Sequence, residues 1–250
     1  MGVTDRPVHV YRGRAATVEA DREATMALFD HAAGSERAVR VWRPHRQVAF
    51  GRRDRNERGY EAAKRAASDR SFPPVERRVG GRAVAYDGES TLAFARAEPV
   101  ADVRTGIQER YDAVTLALED ALADLGIAVE RGEPADSFCP GSHSLRLAGG
   151  GETDAGECDG GKVAGIAQRV TADGAVVAGI LIVDNRESLA DVLEAVYDAL
   201  GAPLDPAAVG SLSDSVDDSP STIRGAVEDA LAGDGERIVE RVDSIDETAG

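Results

Sequence analysis

The segment Ser137-Phe138-Cys139-Pro140-Gly141-Ser142-His143-Ser144-Leu145 places a thiol in a turn-rich loop between an aromatic residue and a Pro-Gly pair. A thiol becomes a nucleophile only when a nearby cation, base or helix end favours its thiolate. His143 is close in sequence, and closeness in sequence is not contact. A packed structural cysteine fits the same pattern. A second segment is Gly160-Gly161-Lys162-Val163-Ala164-Gly165-Ile166-Ala167-Gln168-Arg169. The chain has 29 basic residues, and only Lys64 and Lys162 are lysine. Arginine stays charged and flat-headed, whereas lysine is a compact ammonium that places a donor on one oxygen or gives up a proton. A lysine retained beside paired glycines therefore suggests chemistry arginine cannot do, although chance survival on a hairpin surface gives the same sequence. The third segment is Arg77-Arg78-Val79-Gly80-Gly81-Arg82-Ala83-Val84. Paired glycines let a ligand approach the backbone and the arginines suit a carboxylate or phosphate. A glycine bulge with solvated arginines is the plainer alternative. No Walker or dinucleotide glycine pattern is present.

The elements that must position these segments follow from periodicity. Strands are expected at 7–12, 38–43, 47–50, 127–130, 145–147, 163–168 and 175–183. Helices are expected at 17–33, 57–68, 102–125, 187–200 and about 223–231. Residues 83–86 and 91–97 read as a hairpin around Asp87-Gly88. The two glycines before Lys162 read as a tight turn, and Gly149–Gly161, which contains Cys158, as a long mobile hairpin loop. Hairpins mixed with helices favour an α+β class over a doubly wound parallel sheet.

Composition bounds what this scaffold does. At 250 residues and 42% hydrophobic content the chain suits one domain with a sizeable core, built mainly from Ala, Val and Gly. A net charge of −16 disfavours nucleic-acid binding. The even spread of acid with little lysine reads as a salt-adapted, halophilic cytoplasmic protein. No apolar leader or membrane-length segment is seen. Two cysteines make no disulfide framework, and four scattered histidines show no ligand spacing, so neither a disulfide nor a metal is expected.

Taken in order, the three segments resemble the biotin/lipoate protein ligase and acyltransferase superfamily over roughly residues 8–215. Arg40-Val41-Trp42 and Phe50-Gly51-Arg52 are similar to that family's early strand pair. Phe138-Cys139-Pro140-Gly141-Ser142 looks like the branch that moves octanoyl or lipoyl groups between carrier domains through a cysteine thioester. Within that branch the segment most resembles the octanoyl-[glycine cleavage H protein]:protein N-octanoyltransferases. Val79 departs from the family's usual hydroxyl, and Tyr86 stands where many ligases have His.

The resemblance implies the ligase catalytic-domain fold, with a central mixed sheet and flanking helices, as a single domain over 1–243. Its end, 201–243, would be helical, and 244–250 a disordered tail. It implies Cys139 as nucleophile and Lys162 as the donor to the acyl carbonyl and the stabiliser of the thiolate. Arg77, Gly80, Gly81, Arg82, Ala83, Gly165, Ile166 and Ala167 would line the acyl site. The implied partners are lipoyl-type carrier domains of glycine cleavage H protein and 2-oxoacid dehydrogenase E2, met by a monomer without a cofactor. The alternatives are an ATP- and Mg-dependent ligase, in which Arg82 and Lys162 would hold phosphate, and a non-catalytic carrier-binding module.

Overall fold

A computed structural model describes residues 6–77, 81–149, 152, 153, 156, 157, 160–172, 174–216 and 218–242. Gly80, Cys158 and the 244–250 tail lie outside the described residues, as does most of the acidic loop before Gly160.

The chain opens with β1 (Val8–Arg12), crosses through α1 (Val18–Met26) and α2 (Leu28–Ala33), and returns in β2 (Arg37–Trp42) parallel to β1. Parallel neighbours need such a crossover, and helices supply it. The stretch expected as one helix is two, interrupted at Ala27. Thr17 caps the first by accepting the Ala20 N–H at 3.1 Å. Next come β3 (Gln47–Phe50), α3 (Tyr60–Asp69), β4 (Pro74–Glu76), β5 (Val84–Tyr86), β6 (Thr91–Glu98) and α4 (Ile107–Asp124). Strands β7 (Val129–Arg131) and β8 (Ser144–Leu147) flank the cysteine loop. Short β9 (Glu152–Thr153) and β10 (Gly156–Glu157) pair only with each other. The long strands β11 (Lys162–Val170) and β12 (Ala175–Ile182) lead to α5 (Arg186–Leu200), α6 (Pro220–Ala232) and β13 (Arg237–Arg241).

The main sheet has eight strands in the order β13-β1-β2-β6-β12-β11-β8-β7, and a second has the order β4-β3-β5. Alternation along the strands serves both faces of the main sheet. Val39 and Val41 of β2 join the core under α4 and α6, while Ala38 joins the core under α1 and α2. A third core packs the small sheet against α3 and α5 through Phe50, Ala63, Val84, Leu193 and Tyr197.

Three expectations need correction. Residues 83–86 and 91–97 do not form a hairpin. Strand β5 pairs with β3 in the small sheet, and β6 pairs with β2 and β12 in the large one. Asp87 makes the transfer. Its carboxylate accepts the N–H groups of Glu89, Ser90 and Thr91, the Ser90 hydroxyl and the Asn185 amide, so the turn is tied to itself and to α5 instead of closing a ribbon. The 201–243 end is not wholly helical, because β13 lies parallel to β1 with Val8 opposite Arg237. Its exposed Ile238 and Val239 break the alternation that would have marked a strand. Finally, Gly160 and Gly161 serve close packing and not a tight turn. A Cβ on Gly160 would lie 2.0 Å from the Leu147 carbonyl oxygen, and one on Gly161 2.5 Å from Gly210 N.

Candidate active site

The two sheets enclose a cavity of about 400 Å³. The main sheet contributes Ala93, Phe94, Gly165, Ala167, Gly179 and Ile180, and the small sheet contributes Gln47, Ala49, Val84 and Tyr86. Small residues on β11 and β12 keep this space open. A Cβ on Gly179 would fall 2.4 Å from Phe94 Cζ and 2.5 Å from the Gly165 carbonyl oxygen, so glycine is required for the strands and the ring to meet there. Both sequence segments with candidate chemistry converge on this cavity, since Cys139 and Lys162 line it together with Arg77, Gly81, Gly165, Ile166 and Ala167.

Cys139 is held from three sides. Its N–H donates to the Tyr197 hydroxyl oxygen at 2.6 Å, and that hydroxyl donates to the Ala83 carbonyl at 3.0 Å. Its own carbonyl accepts from Lys162 Nζ at 3.3 Å. Its sulfur lies 3.2 Å from Arg77 Nη2, a charge-assisted contact for a thiolate. The backbone is in the left-handed region, φ 41°, which costs a non-glycine residue roughly 1–3 kcal/mol and persists only where surrounding contacts fix it. Tyr197 reaches this point from α5 and is 1% exposed. Burial pushes its phenol far up, so it stays a neutral hydroxyl able to accept from Cys139 and donate to Ala83.

Lys162 stands at the start of β11 and is 1% exposed. Its ammonium donates to Glu133 Oε1 at 2.9 Å, to Glu133 Oε2 at 3.1 Å and to the Phe138 carbonyl at 3.0 Å, besides the Cys139 carbonyl. Gly165 makes room for it, since a Cβ there would sit 3.3 Å from Lys162 Cε. The structure thus reassigns one role. The cation touching Sγ is Arg77, and Lys162 instead braces the backbone on either side of the Phe138–Cys139 bond. Desolvation works against the Arg77 charge, but the neighbouring Cys139 and Tyr86 outweigh it, and the guanidinium pKa is raised. Arginine cannot accept the thiol proton.

Arg82 and Ala83 do not line the cavity. Arg82 pairs instead with Glu57 at 3.2 Å and Asp54 at 3.6 Å. Ala83 is fully buried and contributes only its carbonyl, to Tyr197. His143 lines the cavity but stacks on Tyr111 at 3.6 Å between centroids.

Sequence reasoning missed Glu133 and Tyr197. Glu133 gathers the hydroxyls of Ser137 and Ser144 as well as Lys162. Among 45 acidic residues nothing marks it. Tyr197 is a core position of an amphipathic helix, and only the direction of its hydroxyl makes it part of the site. Three further polar atoms on cavity-lining residues, Trp42 Nε1, Arg77 Nε and Gln47 Oε1, are buried and lack a hydrogen-bond partner among the described residues.

Both cations expected to hold phosphate are already committed to carboxylates, Arg82 to Asp54 and Glu57, and Lys162 to Glu133. A triphosphate would have to displace these carboxylates, so the two cations as arranged do not fit it.

The two sheets meet at a cavity that carries a thiol and a buried lysine, and comparison with known proteins gives the family of this fold. The family described as lipoyl protein ligase A/B catalytic domain matches residues 21–232, and the chain belongs to it. A lipoyl-[GcvH]:protein N-lipoyltransferase from Listeria monocytogenes is 26% identical over 186 residues, 70% of this chain and 63% of that protein. An octanoyl-[GcvH]:protein N-octanoyltransferase from Geobacillus kaustophilus is 29% identical over 150 residues, 60% of this chain and 49% of that protein. The chain thus spans about half to two thirds of the length of these curated relatives. A lipoate-protein ligase A bound with ATP shares the fold at TM-score 0.69 and 18% identity, covering 94% of this chain and 89% of that one. The bi-partite lipoate protein ligase of Thermoplasma acidophilum does so at TM-score 0.65 and 15% identity, covering 95% and 88%. Among the described residues no helix is long and apolar enough to cross a membrane.

Proposed function

We propose that this chain transfers an octanoyl or lipoyl group between lysines of lipoyl-type carrier domains through a thioester on Cys139, without ATP. The observation that carries the reading is the 3.2 Å contact between Arg77 Nη2 and the Cys139 sulfur at the wall of a cavity that Gly165, Ala167 and Gly179 keep open on one side. A cavity of about 400 Å³ lies within the range of small-ligand sites, roughly 300–1,000 Å³.

In the first step the Cys139 sulfur attacks the acyl-amide carbonyl of the donor. A C–S bond forms, the C–N bond breaks, and the donor lysine amine leaves with the thiol proton. In the second step the acceptor lysine amine attacks the thioester, the C–S bond breaks, and the amine proton returns to sulfur. Atoms and charge balance without a co-reactant, and one hard amide exchange becomes two easier displacements.

The unpartnered atoms suit an amide. Arg77 Nε is a spare donor for its carbonyl oxygen, and Gln47 Oε1 a spare acceptor for its N–H. Lys162 joins the carbonyl by releasing one of its present acceptors, a Glu133 oxygen or the Phe138 or Cys139 oxygen, and its resting part is to hold the nucleophile loop. The names of the relatives point to GcvH, the glycine cleavage H protein, as carrier, and the Thermoplasma ligase is named with its E2 lipoyl domain. Both carrier types are proposed partners here.

The test uses octanoylated and lipoylated H protein as donors and an E2 lipoyl domain as acceptor, with ATP omitted. A hydroxylamine-labile acyl adduct on Cys139, seen by mass spectrometry and lost in Cys139→Ser together with transfer, is expected. Strict ATP dependence with no adduct would transfer the chain to the ligases. Tight carrier binding without turnover, indifferent to Cys139→Ser, would make it a binding module.

A further inference from the structure

At the other edge of the main sheet, far in sequence from the cysteine loop, β1, α2 and the turn before β2 bring His9, His31 and Glu36 together. One ligand atom from each lies within 4.8 Å of the others. The two imidazoles stack with centroids 3.7 Å apart. Both point one nitrogen at the same carboxylate oxygen, His9 Nε2 at 3.1 Å and His31 Nδ1 at 3.4 Å from Glu36 Oε2. Their opposite nitrogens face a second acidic residue and a phenol. His9 Nδ1 is 2.7 Å from Glu240 Oε1, while His31 Nε2 is 2.9 Å from the Tyr11 hydroxyl and 3.6 Å from Glu240 Oε1.

Hydrogen counting shows what the inner face lacks. A neutral imidazole carries one N–H. If His9 spends it on Glu240, its Nε2 lone pair faces the Glu36 carboxylate at 3.1 Å with nothing positive between them. A second proton on the ring or a bound cation fills that gap. The spacing also fits a small tetrahedral ion. A tetrahedral ion with bonds of about 2.0–2.1 Å separates its ligand atoms by roughly 3.3–3.4 Å, close to the 3.1 and 3.4 Å found. The outer contacts match the usual support of metal-bound histidine, in which the ring nitrogen away from the metal donates to a carboxylate or another acceptor and so fixes tautomer and orientation. Glu36 is 35% exposed, which gives an ion a route from solvent and leaves a position for water.

From this arrangement we infer that His9 Nε2, His31 Nδ1 and a Glu36 oxygen form a binding site for one divalent transition-metal ion of the zinc type, supported from behind by Glu240 and Tyr11. The expectation of no metal rested on scattered histidines. The fold removes that objection, because the parallel β1–β2 crossover lays residues 9, 31 and 36 on one another. The metal joins the sheet edge and has no part in acyl transfer. By binding the folded state it stabilises that edge, including β13 through Glu240.

The experiment titrates the chelator-treated full-length chain with ZnCl₂ by calorimetry and with CoCl₂ by visible absorption. High NaCl and millimolar MgCl₂ suppress diffuse cation binding to the −16 surface. One saturable zinc site, intense tetrahedral Co²⁺ bands and a rise in melting temperature are expected. His9→Gln should lower affinity at least ~100-fold, and Glu240→Gln roughly 10- to 100-fold, with circular dichroism verifying folding. The Cys139→Ala/Cys158→Ala chain should bind as the parent does. No saturable site in the parent chain, or loss of the Co²⁺ bands with the cysteines, overturns the inference, and neither result depends on a histidine variant folding.

Discussion

Replacing Tyr197 by phenylalanine removes a single oxygen and tests how the nucleophile loop is held. That oxygen accepts the Cys139 N–H at 2.6 Å and donates to the Ala83 carbonyl at 3.0 Å. Each hydrogen bond is worth about 1 kcal/mol net, and a buried group left without its partner costs about 1–3 kcal/mol. Ala83 is fully buried, whereas Cys139 is only partly so. Tyr197→Phe should therefore lower the unfolding free energy by about 2–3 kcal/mol, read from urea midpoints at unchanged slope. The functional effect should be larger than stability alone explains. Cys139 sits at φ 41°, and the Tyr197 bond is one of the contacts that oppose its relaxation. A displacement of about 1 Å at a reacting atom costs roughly 100-fold in rate. Single-turnover acyl transfer, measured well below the unfolding midpoint, should fall by about that factor. A variant within about 0.5 kcal/mol of the parent and with unchanged transfer would refute the clamp.

Further outcomes follow from the same contacts. Arg77→Met removes the donor 3.2 Å from Cys139 Sγ. A hydrogen bond to a charged group is worth about 1.5–3 kcal/mol, so iodoacetamide should label Cys139 at least ~10-fold more slowly by peptide mass spectrometry. Lys162→Met strands Glu133, which is 22% exposed and therefore partly solvated, so about 2 kcal/mol of stability should be lost. Adding Glu133→Gln should restore part of that in the double-variant cycle. Gly165→Val should push against Lys162 Cε, which lies 3.3 Å from where a Cβ would be, and narrow the cavity. Loss of acyl transfer with an intact fold by circular dichroism is expected. For Asp87, burial raises the carboxylate, but hydrogen bonds from Ser90, Thr91, Asn185 and Glu89 outweigh it and hold the pKa at about 2, below the ordinary 3.8. Its contribution is present above pH 3.8 and is lost as pH falls through about 2. In Asp87→Asn the stability–pH curve should be shallower across that interval, as measured by denaturant titration.

Most strands and helices were legible because their apolar spacing matches a period of two or of 3.6. Lys162 and Cys139 were legible for different reasons, one through the rarity of lysine and one through its Phe-Pro-Gly setting. Whether they meet was not, because that depends on β11 and the cysteine loop bordering one cavity. Local patterns also cannot say which sheet a strand joins. The Asp87 turn resembles a hairpin turn, yet its side-chain bonds to the backbone and to Asn185 send β6 into another sheet. Strand β13 was hidden for a related reason: an edge strand with solvent on its flanks does not need a strict apolar alternation. Glu133 and the His9–His31 pair were invisible because their meaning lies in what the fold sets opposite them.

The pairing of β13 with β1 has a consequence for biosynthesis. His9 and Glu240, whose side chains hydrogen-bond across that pair, are separated by 231 positions. At roughly 5–20 residues per second of translation, β1 waits on the order of ten to fifty seconds for the strand that covers its outer edge. During that time its backbone donors and acceptors on that side are open to any extended chain nearby. Synthesis of β13 therefore sets when this part of the sheet is finished, and a nascent chain stalled before Arg237 presents a bare edge to its neighbours.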